Sequence, residues 1–287
     1  MMIDHLKLMT PAEMRKRAWR SLGTADVVIN HGDADTAAYL AGQAAELALK
    51  ARYCAKEGLP NLPTDRKELQ RHKLNEHRLQ ELLKLSDSES VQRGALDLID
   101  WPRVSEWHNE DRYKPVGHVS LEQATVRVAQ TKRLFHALVD YEIVEALAKV
   151  ESLLAGEGVV FNLFAWLRGE DGKWKLTIAS KWFDEPTTRE ERVARVHQEM
   201  AQVLAPDLYK QVTSIDYDGV LDDVPRAFYG ALSVAGGSMT VRGATIFSGG
   251  HLPLPVRNAK VFALDHIRTD YGGIPRAYVI AVQPPAV

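Results

Sequence analysis

A single cysteine, Cys54, stands in the 287 residues, so no internal disulfide framework holds this chain, and a reducing cytosol is the expected compartment. Cys54 falls inside a helical run, where a small buried hydrophobe is the expected role of the thiol. No apolar run reaches the roughly 18–20 residues that a membrane span needs. Asp4, His5 and Lys7 break up the amino end before a signal-peptide core can form. A cytoplasmic protein with no membrane partner is expected. Excess charge is missing too: the formal net charge is −2, so nucleic acid or acidic lipid would need a local basic patch. There is no Gly-x-Ser-x-Gly elbow, no Rossmann glycine fingerprint, no His-Glu-x-x-His and no zinc-ligand cluster, and the expected metals and cofactors are none. Asp216, Asp218, Asp222 and Asp223 fail as an EF-hand, because Val220 stands where an oxygen ligand belongs and no Glu closes the loop. They read as a strand ending in an acidic turn. His251, after Gly249-Gly250, reads as a loop residue.

What is there, first, is helix. Ala37 to Gly58 carries Tyr39, Leu40, Ala44, Leu47, Ala48 and Ala51 at three- and four-residue spacing, which stacks them on one face. Further alanines around it let a neighbouring helix approach closely. Glu46 and Lys50 are placed for a surface ion pair. A Pro-broken loop follows, then a second helical run from Asn75 to Leu85. Upstream, Thr10-Pro11-Ala12-Glu13 has the form of an N-cap, a first-turn proline and a capping acid. The helix it opens is expected to turn Met14, Ala18, Leu22 and Val27 inward and Arg15, Lys16, Arg17 and Arg20 outward as a basic patch; Trp19 between them could stack on a base, but its helical spacing favours the core. Downstream, Val91, Ala95, Leu98 and Ile99 predict a helix ending at Trp101-Pro102. Ser120 then caps a long run, with Leu121, Ala124, Val128, Leu134, Phe135, Leu138, Tyr141, Val144 and Leu147 inward, to about Leu154.

After Gly158 the character changes. Val159–Arg168 and Trp174–Phe183, rich in β-branched and aromatic residues around Gly169–Gly172, predict a hairpin. Thr188–Leu204 returns to helical spacing. Strands are expected at Ser214–Tyr217, Ala227–Val234, Met239–Phe247, Lys260–Leu264 and Ala277–Val282, with turns at Gly236-Gly237, Gly249-Gly250 and Gly272-Gly273. The predicted class is α followed by α+β. A helical bundle over residues 1–155 precedes a mostly antiparallel sheet domain with one prominent helix over residues 156–287.

Gln43-Ala44-Ala45-Glu46 followed by Lys50, a His-x-Leu (His72-Lys73-Leu74 or His77-Arg78-Leu79), and Arg112-Tyr113 with Pro115 after an inserted Lys114 occur in that order. On these motifs residues 10–145 resemble the HEPN family, the higher-eukaryote and prokaryote nucleotide-binding domains. The resemblance implies a helical bundle that pairs as a homodimer. It also implies one of two activities. One class comprises metal-independent endoribonucleases with an Arg and a His four to six residues apart at the dimer cleft, the His exchanging a proton and the Arg holding phosphate charge. The other binds nucleotides or serves as an adaptor.

Arg112 and His118 fit the spacing of the catalytic pair, but so do Arg66/His72, Arg71/His77, Arg103/His108 and Arg192/His197. Tyr113 follows Arg112, and Pro115 and Gly117 interrupt the segment, which favours a structural Arg-Tyr-Pro loop. Candidate ligand-binding residues are Arg71, His72, Lys73, Tyr113 and Lys114, within a basic stretch interleaved with Glu68, Glu76 and Glu81. The expected function is nucleotide or nucleic-acid binding by a dimerising module of a bacterial defence, toxin–antitoxin or mobile-element system. The alternatives are an endoribonuclease using Arg112 and His118, and an adaptor without ligand. The paired strands and glycine loops of the carboxy-terminal half would suit a surface for a protein partner or a ligand, and its residues point to no particular chemistry.

Overall fold

Thr10 opens the first helix as its sequence requires: its Oγ accepts the Glu13 amide at 3.1 Å, and Pro11 occupies the first turn. This computed structural model describes residues 9–88, 99–161, 163–168, 174–184, 187–212, 215–218, 238–241, 244–252, 261–269 and 272–282. The expected helix over 91–98, the strand at 227–234 and the glycine turns at 169–172 and 236–237 lie outside them. Helix outweighs strand among the described elements, and the chain divides into two compact units, Met1–Asp140 and Tyr141–Val287.

In the first unit, α1 (Pro11–Asn30) lies along α2 (Ala34–Lys56), whose N-cap is Asp33. The alanines set this closeness. Ala25, Ala37, Ala38, Ala41, Ala124 and Val128 form one buried cluster. A second gathers Met14, Ala51, Tyr53, Cys54 and Leu74. α2 is buried well beyond the one face that its leucines suggest, since Ala37, Ala38, Ala41, Gly42, Ala45, Leu49 and Arg52 are buried too. The stretch between α2 and the next run is not all loop. Asp65 caps the exposed helix α3 (Arg66–Arg71), and α4 (Leu79–Leu85) follows. At Trp101-Pro102 a helix begins rather than ends: α5 (Trp101–Ser105) has Pro102 in its first turn, where the missing N–H costs nothing. A 3₁₀ turn over Asn109–Tyr113 follows. Helix α6 (Leu121–Gly156) starts on a reciprocal cap, in which Ser120 Oγ accepts the Gln123 amide and Gln123 Oε1 accepts the Ser120 amide.

Three inward assignments and one outward assignment are corrected. The buried stripe of α1 is Met14, Ala18, Leu22 and Ala25, which leaves Val27 exposed and Trp19 on the rim at 48% exposure. Arg15, beside Met14, is buried rather than solvated. Leu121, at the very start of α6, is exposed, whereas Ala124, Val128, Leu134, Phe135, Leu138, Tyr141, Val144 and Leu147 are buried as their spacing requires.

In the second unit β1 (Leu163–Arg168) and β2 (Trp174–Ala179) form an antiparallel pair. The strands are shorter than their hydrophobic runs. Val159–Phe161 precedes β1 without strand structure, and Lys181–Phe183 turns into a 3₁₀ helix capped by Ser180, whose Oγ accepts the Trp182 amide. α7 (Arg189–Val203) buries Val196 and Met200, and α8 (Pro206–Tyr209) follows. β3 (Ile215–Asp218), β4 (Ser238–Val241), β5 (Ala244–Leu252), β6 (Val261–Thr269) and β7 (Gly272–Val282) complete a sheet of order β3-β2-β1-β7-β6-β5-β4. Only the β2–β3 pairing is parallel among these neighbours. Gly249-Gly250 is no turn: both glycines and His251 lie within β5, where the register with β6 shifts between Ser248 and His251, as in a bulge. Met239–Phe247 is split between β4 and β5.

Candidate functional site

The start of α2 and the approach to α6 are joined by one carboxylate. Asp35 accepts the amides of Gly117 (2.5 Å) and Val119 (2.9 Å), and one of its oxygens stands 2.9 Å from His118 Nδ1. The Pro115 carbonyl lies 3.1 Å from the same nitrogen. Partial burial pushes the Asp35 carboxyl up, but the two amides and the His118 ring outweigh it and hold the group below the ordinary carboxylate range. His118 Nε2 is buried and has no hydrogen-bond partner among the described residues. An imidazole whose Nδ1 faces a carboxylate has its ring orientation fixed, and its second nitrogen is the one left for chemistry.

Ahead of this anchor the chain projects outward. Arg112, Tyr113, Lys114, Pro115, Val116 and Gly117 are all exposed, Tyr113 at 75% and Val116 at 99%. The Arg112 guanidinium lies 4.8 Å from the centre of the Tyr113 ring. Lys114 Nζ is 2.7 Å from Asp111, a carboxylate which Lys114 and the His108 amide hold low against its own burial. Arg112 therefore sits on the outer arm of the loop and His118 at its base.

The other basic residues stand elsewhere. Arg71 pairs with Glu68 at 3.6 Å; His72 lies between Tyr53 Oη (3.0 Å from Nδ1) and Glu68 (3.7 Å from Nε2); Lys73 is exposed in a left-handed conformation, φ 54°. Beneath them, Glu46 and Lys50 pair at 2.7 Å. They do so with side chains only 13% and 6% exposed, so the pair is not a surface pair. His77 Nδ1 reaches the same Glu46 oxygen at 3.1 Å. Of the two His-x-Leu alternatives, His77-Arg78-Leu79 is the one that meets the Gln-Ala-x-Glu run, with Leu79 buried at the head of α4. Glu76 holds Arg78 through two side-chain hydrogen bonds, and that contact brings its carboxyl down to about 2.

Among the described residues no group of three His, Cys, Asp or Glu is placed to hold a metal ion, and no helix is long and apolar enough to cross a membrane. Asp35 is the residue that motif spacing does not reveal. In the sequence it is one acid in a short polar connector, and its only local signal is an acidic residue in a first helical turn.

The family model described as HEPN domain matches residues 12–140. No curated protein and no solved structure matches the chain.

Proposed function

Residues 12–140 are a HEPN domain, and from that premise we propose that this domain binds the phosphates and bases of nucleotides or RNA on the loop 112–118. The observation that carries the reading is the Asp35 anchor. It ties the base of the loop at Gly117, His118 and Val119, while Arg112, Tyr113 and Lys114 stay exposed. A fixed base lowers the ordering cost of binding, the cations meet phosphate, and the Tyr113 ring offers a stacking face. Arg71 and Lys73 supply a weaker contribution, since Glu68 already neutralises part of that patch.

The chain would act as a homodimer through residues 1–155, with residues 156–287 as a separate module for a protein partner, in a defence, toxin–antitoxin or mobile-element setting. A second reading, metal-independent RNA cleavage by Arg112 and His118, is favoured by one observation: Asp35 occupies Nδ1 of His118 and leaves Nε2 without a partner among the described residues.

Titrating labelled RNA and, separately, nucleotides onto the protein in EDTA tests both. Binding weakened about tenfold by Arg112→Ala with Tyr113→Ala, with the RNA intact, supports the first reading. Cleavage abolished by His118→Ala would establish the second. Unchanged affinity in the double variant would remove loop 112–118 from either.

A further inference from the structure

α1 carries an aromatic side chain outside its buried stripe of Met14, Ala18, Leu22 and Ala25. Trp19 is 48% exposed, with its ring against Phe135 (centroids 5.5 Å apart) and His136 (5.2 Å) of α6. These contacts hold the indole at the rim and leave a large part of it in solvent. Lys16, Arg20, Gly23 and Val27 follow on the same side of the helix at three- and four-residue spacing. Lys16 and Arg20, three residues before the indole and one after it, are exposed; Arg17 is exposed too, but two residues from Trp19 it lies on the other side of the helix. Lys16 lies 3.6 Å from Glu13, an exposed pair of little strength. Among the described residues no ion pair engages Arg17 or Arg20. A side chain placed on Gly23 would meet none of the described residues within 4 Å, which leaves the face beyond the indole open among them.

Two occupants suit an exposed indole: a second copy of the chain, or a ligand with its own flat faces. Charge separates them. In a two-fold contact the same patch faces itself, so the cations of one copy would meet those of the other. A single-stranded nucleic acid instead brings phosphates to the cations and a base to the ring. We infer that the α1 face built on Trp19, with Lys16 and Arg20, is a contact surface for single-stranded nucleic acid, distinct from loop 112–118. The indole stacks one base, and Lys16 and Arg20, about 6 Å apart along the helix axis, hold the flanking backbone. The surface tolerates any sequence, because every base has a π-face.

Fluorescence anisotropy with a labelled oligouridylate and its DNA counterpart, at low and moderate salt, tests the surface. Trp19→Ala is expected to weaken binding about tenfold, and Trp19→Phe to keep most of it. Lys16→Gln with Arg20→Gln, which leaves the ring packing alone, is expected to flatten the log–log salt dependence by about 0.7 for each phosphate that the variant no longer neutralises. These effects should persist when Arg112 and Tyr113 are replaced, which separates this surface from the loop. Unchanged affinity and salt slope in both α1 variants would overturn the inference. So would a Trp19→Ala protein that binds normally but loses a dimer in equilibrium sedimentation.

Discussion

Trp107 fills the space over Gly42: a β-carbon at position 42 would come within 2.0 Å of the indole Cγ. The indole is 2% exposed, and its packing pins the segment that leads into Asn109–Tyr113 against the middle of α2. Glycine is therefore required there by close approach, although it costs helix propensity. Gly42→Ala should destabilise the first unit by about 1–3 kcal/mol through overpacking, and Trp107→Ala by about 3–5 kcal/mol through the cavity left behind. The two losses should not add, because the smaller side chain at 107 makes room for the methyl at 42. Urea denaturation of the single and double variants reads the coupling.

Lys50 gives a second expected outcome. It and Glu46 are nearly excluded from solvent, with His77 as a further partner of the carboxylate. Removing one member of a buried pair leaves a charge uncompensated, so Lys50→Met should cost about 3–5 kcal/mol, whereas Lys50→Met with Glu46→Leu should recover much of it. Thermal melts at matched concentration distinguish the cases. Equal losses in both variants would assign the cost to packing instead.

Glu76 sets a pH dependence. Its carboxyl lies at about 2 in the folded chain against 4.5 for the free group, chiefly through Arg78. A carboxyl lowered on folding contributes stability that is fully present above its unfolded value and is lost as pH falls through the folded one. The contribution should therefore fade between about 4.5 and about 2. Denaturation curves across that window should fall less steeply for Glu76→Gln than for the parent, with the variant already less stable at neutral pH. Parallel acid limbs would contradict the assignment.

How much of this is legible in the chain differs by element. The cap on α1 and the start of α6 are readable because Thr10 with Glu13 and Ser120 with Gln123 act over three residues. Local chemistry of that kind leaves a mark in the sequence. Asp35 leaves only that of a first-turn acid, since its partners Gly117 and Val119 lie 82 and 84 residues away and exist only once the bundle has formed. Trp19 escapes for a different reason: helical spacing identifies a stripe, while the edge of that stripe depends on where α6 lies. Gly249-Gly250 reads as a turn because a glycine pair marks turns and bulges alike, and strand pairing decides between them.

Cys54 turns the buried α2 face into a measurable quantity. It is fully buried, and burial pushes its thiol up to about 11 despite the opposing charge of Lys50. Because it is the chain's single cysteine, every labelling event reports this position. The thiolate is the reactive form, so at mildly alkaline pH the native chain should label orders of magnitude more slowly than the urea-unfolded one. Where reclosing outpaces labelling, the rate should follow the opening equilibrium of α2 and rise in step with urea. Gly42→Ala, on the same helix, should accelerate labelling by the factor that its loss of stability predicts: about tenfold for each 1.4 kcal/mol. Labelling at the unfolded rate in the absence of urea would place Cys54 on an open surface and dismantle the packing described for α2.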